Sequence, residues 1–327
     1  MQARLLKSEI VFVTCILALL LSARPGYPQQ MEGTRYPNRP VTLIVPLSTG
    51  SGGDLVSRLI AKEAERFLGQ PIVIVNKPGG SYAVGVSALA ASKPDGYTIG
   101  YTPVGSLFIT PFLERIPYHP LKDLQPIIQF GDMTFGVTVR NDSPFKSFKD
   151  LIAYARQNPK KLTYGTGGAY SSGHLAMERI ARKERVEFTH IPFKGGSEFQ
   201  AALLGGHLQF TAGDFNPALV EAGQIRLLLL FTENPRPEYP HIPILRDIGY
   251  DIPYPAMTSV SGPKGLPEGI IKKLEGAFTK AMNEPAFIRG MKELHLAVVY
   301  RNSKELEEYV SNTYKVFEKL MKELKPN

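Results

Sequence analysis

Val41-Thr42-Leu43-Ile44-Val45-Pro46-Leu47-Ser48-Thr49-Gly50-Ser51-Gly52-Gly53-Asp54 is the stretch that decides the fold. Its first five residues are β-branched or aliphatic, a run of strand length closed by Pro46. Small residues and glycines follow. From Leu55 the apolar period changes: Val56, Leu59, Ile60, Ala64, Phe67 and Leu68 recur at spacings of three and four, as one helix face requires. Asp54 is the expected N-cap and Gly69 the expected stop. A strand, a glycine-rich turn and an amphipathic helix in direct succession make half of a βαβ unit.

Working outward, the unit repeats. Ile72-Val73-Ile74-Val75 reads as a second strand, leading through Asn76-Lys77-Pro78-Gly79-Gly80 into a small-residue helix that runs to Ala91. The turn Pro94-Asp95-Gly96 introduces a strand from Tyr97 to Tyr101. Ser147-Phe148-Lys149-Asp150 reads as a capping box before a helix to Gln157. Leu162-Thr163-Tyr164-Gly165 leads through Thr166-Gly167-Gly168-Ala169-Tyr170-Ser171-Ser172-Gly173-His174 into a helix to Arg182. Ile191-Pro192-Phe193-Lys194-Gly195-Gly196 is a further strand-to-helix loop, and Leu227 to Phe231 is apolar enough for a buried strand. From Pro267 the chain reads as helical, with an amphipathic segment from Lys304 to Leu324. Such alternation predicts parallel α/β sheets, in which ligands sit beyond the carboxyl ends of the strands.

Upstream of this, Arg4 and Lys7 precede an apolar stretch from Ile10 to Leu21, with Ser22 and Ala23 as small residues for cleavage. Residues 1–23 therefore read as a signal peptide, and its ~12 apolar residues fall short of the roughly 20 that span a bilayer. The single cysteine, Cys15, lies inside it. Disulfides and thiolate metal sites are thereby excluded from the exported chain. The six histidines are scattered without metal-ligand spacing, so no metal is expected. His174, in the first turn of its helix, reads as a packing residue. The net charge of +8 arises from cations spread along the chain, and nucleic acid is not an expected partner. At 327 residues, two domains are expected after export.

Four strand-to-helix loops consist of Gly, Ser and Thr with almost no charge. Helix N-termini leave unpaired N–H groups with partial positive charge, and glycine lets a ligand approach them. Together these make an anion site that needs no arginine; Lys194 is the only cation among the candidate site residues. Enzyme motifs are poor. Gly80 to Ser87 has P-loop glycine spacing, but Val86 stands where the lysine must be. Ser143-Pro144-Phe145-Lys146 matches S-x-x-K without its partner motifs. No catalytic residue and no cofactor are expected. An exported hydrolase or transferase using a loop serine, and a ligand sensor signalling to a membrane partner, are the alternatives.

Taken in order, several short segments resemble the Bug family, the periplasmic substrate-binding proteins of tripartite tricarboxylate transporters. They are Val45-Pro46 with the glycine loop and Asp54, Asn76-Lys77-Pro78-Gly79, Pro94-Asp95-Gly96-Tyr97-Thr98, Tyr164-Gly165 with His174-Leu175-Ala176, Pro192-Phe193-Lys194-Gly195, Leu203-Leu204-Gly205-Gly206 and Gly223-Gln224-Ile225-Arg226. The resemblance implies an α/β fold of the periplasmic-binding-protein type (type II): two α/β lobes joined by a hinge, with the ligand cleft between them. Lobe 1 is expected at 33–130 and 250–327, and lobe 2 at 131–249. The implied function is capture of a small carboxylate, a di- or tricarboxylate or other organic acid, in the periplasm. The implied partners are the transporter's membrane subunits, with the chain itself a monomer. Carried over by position, the ligand-binding residues are Ser48, Thr49, Gly50, Ser51, Gly52, Tyr82, Ala83, Thr166, Gly167, Gly168, Ser171, Ser172, Lys194, Gly195, Gly196 and Asp214. The chain departs from the family where Gly80-Ser81-Tyr82-Ala83, after Pro78-Gly79, replaces the usual Ala-Gly-Gly-Asn, and where Phe193 replaces a tyrosine. Those departures favour a ligand with an apolar or aromatic body.

Overall fold

The structure, a computed structural model, describes residues 36–169, 171–193, 196–232, 234–250 and 254–324, without the side chains of 323 and 324. The expected signal peptide, Lys194 and Gly195 lie outside the described residues. Among the described residues, ten strands form two five-stranded sheets. In the first, β1 (Val41–Val45), β2 (Ile72–Asn76), β3 (Thr98–Tyr101), β4 (Leu124–Asp132) and β10 (Met257–Pro263) lie in the order β2-β1-β3-β10-β4. In the second, β5 (Phe135–Arg140), β6 (Thr163–Thr166), β7 (Thr189–Pro192), β8 (Phe210–Asp214) and β9 (Ile225–Leu230) lie in the order β7-β6-β8-β5-β9.

Neither sheet is purely parallel, which corrects the expectation from the alternating pattern. β1 pairs in parallel with β2 and β3, and β6 with β7 and β8. β10 and β5, however, run antiparallel to both of their neighbours. The reason is topological. Each of these strands enters its sheet from the other lobe. It therefore starts at the end where the parallel strands finish: Phe135 pairs with Asp214, and Met257 with Asp132.

The helices that matter for the site start where parallel strands stop. They are α1 (Gly52–Leu68), α2 (Ala83–Ala90), α4 (Ser172–Glu184) and α5 (Gly196–Leu204), whereas α3 (Phe148–Gln157) follows the far end of antiparallel β5. α1 begins three residues earlier than its apolar period suggests, and Ser51 rather than Asp54 is its N-cap, accepting from the Asp54 N–H. Gly69 closes it in the left-handed region (φ 80°), where glycine costs least. The capping box before α3 is formed by Ser147 and Asp150. α6 (Glu268–Met282), α7 (Pro285–Glu293) and α8 (Ser303–Leu324) complete the first lobe. Leu306, Val310, Phe317 and Leu320, on the apolar face of α8, are buried with Ile44, Val86 and Phe108. Leu175, on α4 of the second lobe, is buried in this same first-lobe cluster, so the two lobes touch near the start of α4.

Gly173 sets where α4 begins. A Cβ there would collide with the Ala212 carbonyl oxygen and lie 2.8 Å from the Ala212 carbonyl carbon. The helix start thus rests directly on the backbone of β8, which brings Ser172 beside the end of that strand. Gly173→Ala should destabilise the protein by about 1–3 kcal/mol through overpacking against an immovable backbone. Urea unfolding of the variant measures this, and an unchanged midpoint would show that α4 can lift off β8 without cost.

Candidate functional site

The loop between β1 and α1 is pinned from beneath by Asp54, whose side chain is only 1% exposed. Its Oδ2 accepts from the Gly50 N–H (2.8 Å) and from Arg58 Nε (2.9 Å), while Asn76 Nδ2 donates to Oδ1 (2.9 Å). Burial alone would raise this carboxyl; the bonds from Arg58, Gly50 and Asn76 hold it below its ordinary value. Asn76 also donates to the Leu47 carbonyl and accepts from Thr49 Oγ1. Ser48, Thr49, Gly50 and Gly52 are exposed above this base, and Ser51 is half-buried.

The loop before α2 has four successive residues at positive φ: Gly79 (119°), Gly80 (53°), Ser81 (48°) and Tyr82 (80°). Two side-chain hydrogen bonds help hold it, from Ser81 Oγ to Glu114 Oε1 (2.6 Å) and from Thr110 Oγ1 to the Ser81 carbonyl (3.0 Å). The Tyr82 ring lies over Gly105, where a Cβ would sit 2.6 Å from it. Burial raises the Tyr82 phenol, and the charge of Asp214, from the second lobe, raises it further. The Asp214 charge thus reaches Tyr82 from the other lobe, and half-buried Ala83 follows Tyr82 at the start of α2.

On the second lobe, Ser171 caps α4 by accepting from the His174 N–H, and its own N–H donates to the Gly168 carbonyl. Gly168 has φ 128° and Gly167 is exposed. Asp214, at the end of β8, is packed against the start of α5: a Cβ on Gly196 would collide with Oδ2. Burial pushes the Asp214 carboxyl up. Tyr254, on the returning crossover, is 4% exposed and packs on Phe135 and Phe231 with centroids 5.4 and 4.9 Å away. Its phenol is raised by burial and then by the Asp214 charge; Ser172 opposes the shift from beside it without completing a hydrogen bond.

Tyr82, Ser172, Gly196 and Asp214, read from the sequence, are thus brought together, with Tyr254 added by the structure. Ser48 to Gly52 stand at the strand ends of the first lobe, but their bonds run within that lobe. Thr166 is fully buried, and its hydroxyl is used internally. Oγ1 donates to the Gly168 carbonyl (2.9 Å), so it must accept from His190 Nε2 (2.8 Å), which fixes the tautomer of a neutral His190. His190 stacks on His174 with centroids 3.9 Å apart, which places His174 as the packing residue its helix position suggests. Tyr254 and His190 escaped sequence reading because neither lies in a glycine-rich loop. A groove of about 430 Å³ beside Arg140, Tyr154 and Lys161 is a different place. Arg140 ends β5, roughly 17 Å along the strand from Phe135 and Asp214.

Two α/β lobes joined by crossing strands, with a cleft at their strand ends, define a periplasmic-binding-protein-like fold of type II. The family model described as tripartite tricarboxylate transporter family receptor (TctC) matches residues 56–325, and the chain belongs to that family. It is similar to a Cupriavidus necator protein described as "UPF0065 protein in gbd 5'region", 35% identical over 318 residues, covering 96% of this chain and 95% of the relative. Among solved structures it resembles a ligand-free TctC solute-binding protein from Polaromonas (27% identity, TM-score 0.79, 88% of this chain and 100% of that one). Two Rhodopseudomonas palustris structures also match. One is described with adipate (29% identity, TM-score 0.73, 88% and 97% covered), the other with malate (25%, 0.72, 88% and 100%).

Burial and then the neighbouring His174 push His190 down to about 4 from 6.5, and Glu178 opposes them. The folded protein thus disfavours the charged form, and the unfolded chain takes up the proton first as pH falls. Stability should decline from about pH 6.5 toward pH 4 and level off below, to the extent His190 contributes. His190→Gln should remove that component. Urea midpoints of both proteins across pH 7 to 3.5 test this: parallel curves would show that His190 has no shifted proton.

Proposed function

We propose that the chain is an exported, monomeric solute-binding protein that captures a small carboxylate in the cleft and delivers it to membrane subunits of a tripartite tricarboxylate-type transporter, without turning it over. The observation that carries this reading is the convergence of helix starts at Ser51, Ser171 and Gly196 on strand ends lined by neutral donors. Unpaired N–H groups and hydroxyls there offer hydrogen bonds and partial positive charge to an anion. The malate and adipate described with two related structures fit the same chemistry. Residues 1–23 direct export to the periplasm in this reading. Lobe 1 comprises 33–130 and 250–327, and lobe 2 comprises 131–249. Lys194 and Gly195 join Gly196 in contacting the ligand, and the Thr166 to Ser172 loop meets it from the same lobe. The Ser51 and Ser171 hydroxyls accept cap bonds, a role that favours binding over nucleophilic attack.

Closure follows from geometry. A carboxylate bridging α1 and α4 makes contacts from both lobes at once, which an open form cannot offer, so it favours the closed form. A carboxylate at 100 times its Kd should stabilise the protein by roughly 2.7 kcal/mol, readable as a rise of several degrees in melting temperature. Scattering should show a saturable fall in the radius of gyration. Ser171→Ala/Ser172→Ala should weaken binding by about 0.5–1.5 kcal/mol for each bond lost. A panel of mono-, di- and tricarboxylates giving no thermal shift would defeat the reading, and binding without compaction would defeat the closure.

A further inference from the structure

A hydrogen-bonded chain runs beneath the loop between β6 and α4 and ends on the loop's backbone. His190, on β7, is the register partner of Tyr164 on the neighbouring strand β6. Its ring packs on those of His174 and Tyr164, with centroids 3.9 and 4.9 Å away. From there Nε2 donates to Thr166 Oγ1 at 2.8 Å, and that hydroxyl donates to the Gly168 carbonyl at 2.9 Å. Thr166 is fully buried, so its hydroxyl is a relay rather than a ligand contact. The Ser171 N–H reaches the same carbonyl at 3.3 Å.

What this chain controls is the orientation of one peptide. In a trans peptide the N–H points opposite to the C=O. The Gly168 carbonyl is drawn down to Thr166, so the N–H of exposed Ala169 is turned outward, away from the strand end. Gly168 has φ 128°, a region that glycine enters without steric cost, so little else in the loop fixes that peptide. A hydroxyl has a single proton to give. With the proton of His190 on Nε2, the Thr166 hydroxyl keeps Gly168 as its acceptor. The other tautomer would present a bare Nε2, draw the hydroxyl proton to itself and release Gly168. We propose that His190 is a positioning residue for ligand capture: acting through Thr166, it aims the Ala169 N–H into the cleft. This rests on the reading above, in which the Thr166 to Ser172 loop meets the ligand.

Two readouts test it, and a role in folding alone would move neither. The first needs no ligand. At pH 7, where the ring is neutral, two-bond nitrogen–proton NMR spectra should show His190 as the Nε2–H tautomer, its signals assigned through correlation to its backbone. The second is a double-mutant cycle in Kd, measured by calorimetry with the tightest-binding acid of the carboxylate panel above, malate and adipate included. Thr166→Val should weaken binding by about 3–10-fold, the scale of one neutral hydrogen bond, and Thr166→Ser should recover most of that loss. His190→Phe should weaken binding by about threefold or more on its own, and by less than about twofold in the Thr166→Val background, because its effect passes through that hydroxyl. Unliganded melting curves report which variants fold. If Thr166→Val or His190→Phe does not, the wild-type tautomer and the Thr166→Ser affinity decide. The Nδ1–H tautomer would overturn the proposal, as would a silent Thr166→Val, additive losses in the cycle, or a folded Thr166→Ser that loses about tenfold or more. Each of these would leave carboxylate capture standing. No binding by any acid of the panel would remove the capture reading itself, and the proposal with it.

Discussion

The double crossing between the lobes is the constraint from which the rest of the architecture follows. The chain leaves the first sheet after Asp132 and returns through Ala256 and Met257. The two passages lie side by side, with the Met133 N–H donating to the Ala256 carbonyl at 2.7 Å. Because both crossings run through one place, each lobe must accept a strand that starts there, and that strand is antiparallel. All the parallel strands must finish at the same place, so every helix following them starts there too. The cleft is therefore lined by helix starts because of chain path, before any side chain is chosen. Arg236 reinforces the crossing from the second lobe, with Nη2 3.6 Å from Asp132 Oδ2, while Gln129 Nε2 donates to the other oxygen of Asp132 at 2.7 Å.

Given that path, close backbone contact decides how well the helix starts are aimed. Gly173 rests on Ala212, and Gly85, in the first turn of α2, lies so near Pro46 and the Lys77 carbonyl that a Cβ would be 2.7–2.8 Å from them. Neither helix could lie so low on its strand with a larger residue. Charge is kept out of the loop surface and placed beneath it: Asp54 binds the underside of the Ser48 to Gly52 loop and is itself neutralised by Arg58. Fixing a loop with a buried, paired carboxylate leaves its upper face free for neutral donors.

How much of this could be read in the sequence depends on which force wrote each element. The parallel strands and their helices follow local rules, a β-branched run, small residues, then a 3.6 period, and their loops were legible from Ser48 to Gly196. The strands that bound the crossing in the first sheet were not. β4 contains Pro126 and Gly131, and β10 mixes Thr258, Ser259 and Ser261 with Met257 and Val260, so neither shows an uninterrupted apolar run. Their strand character comes from pairing with each other along the crossing, from Met257–Asp132 to Pro263–Leu124. Asp54 looked like a cap because it precedes an apolar period, whereas Ser51 holds that role and frees Asp54 for the loop. Tyr254 joins Asp214 only because the chain returns past it, a proximity without local trace.

The strained turn before α2 connects these two levels. Ser81 and Tyr82 both occupy the left-handed region without being glycine, a conformation that costs of order 1 kcal/mol or more each and persists only where surroundings enforce it. The enforcement is visible in the bonds from Ser81 to Glu114 and from Thr110 to Ser81. A glycine at either position would relieve the strain, yet at position 82 it would also remove what the strain supports, the ring placed over Gly105. Gly105 makes the same point from the other side, since any larger residue there would displace that ring. An unfavourable backbone conformation and a matching glycine on a separate element thus serve one placement.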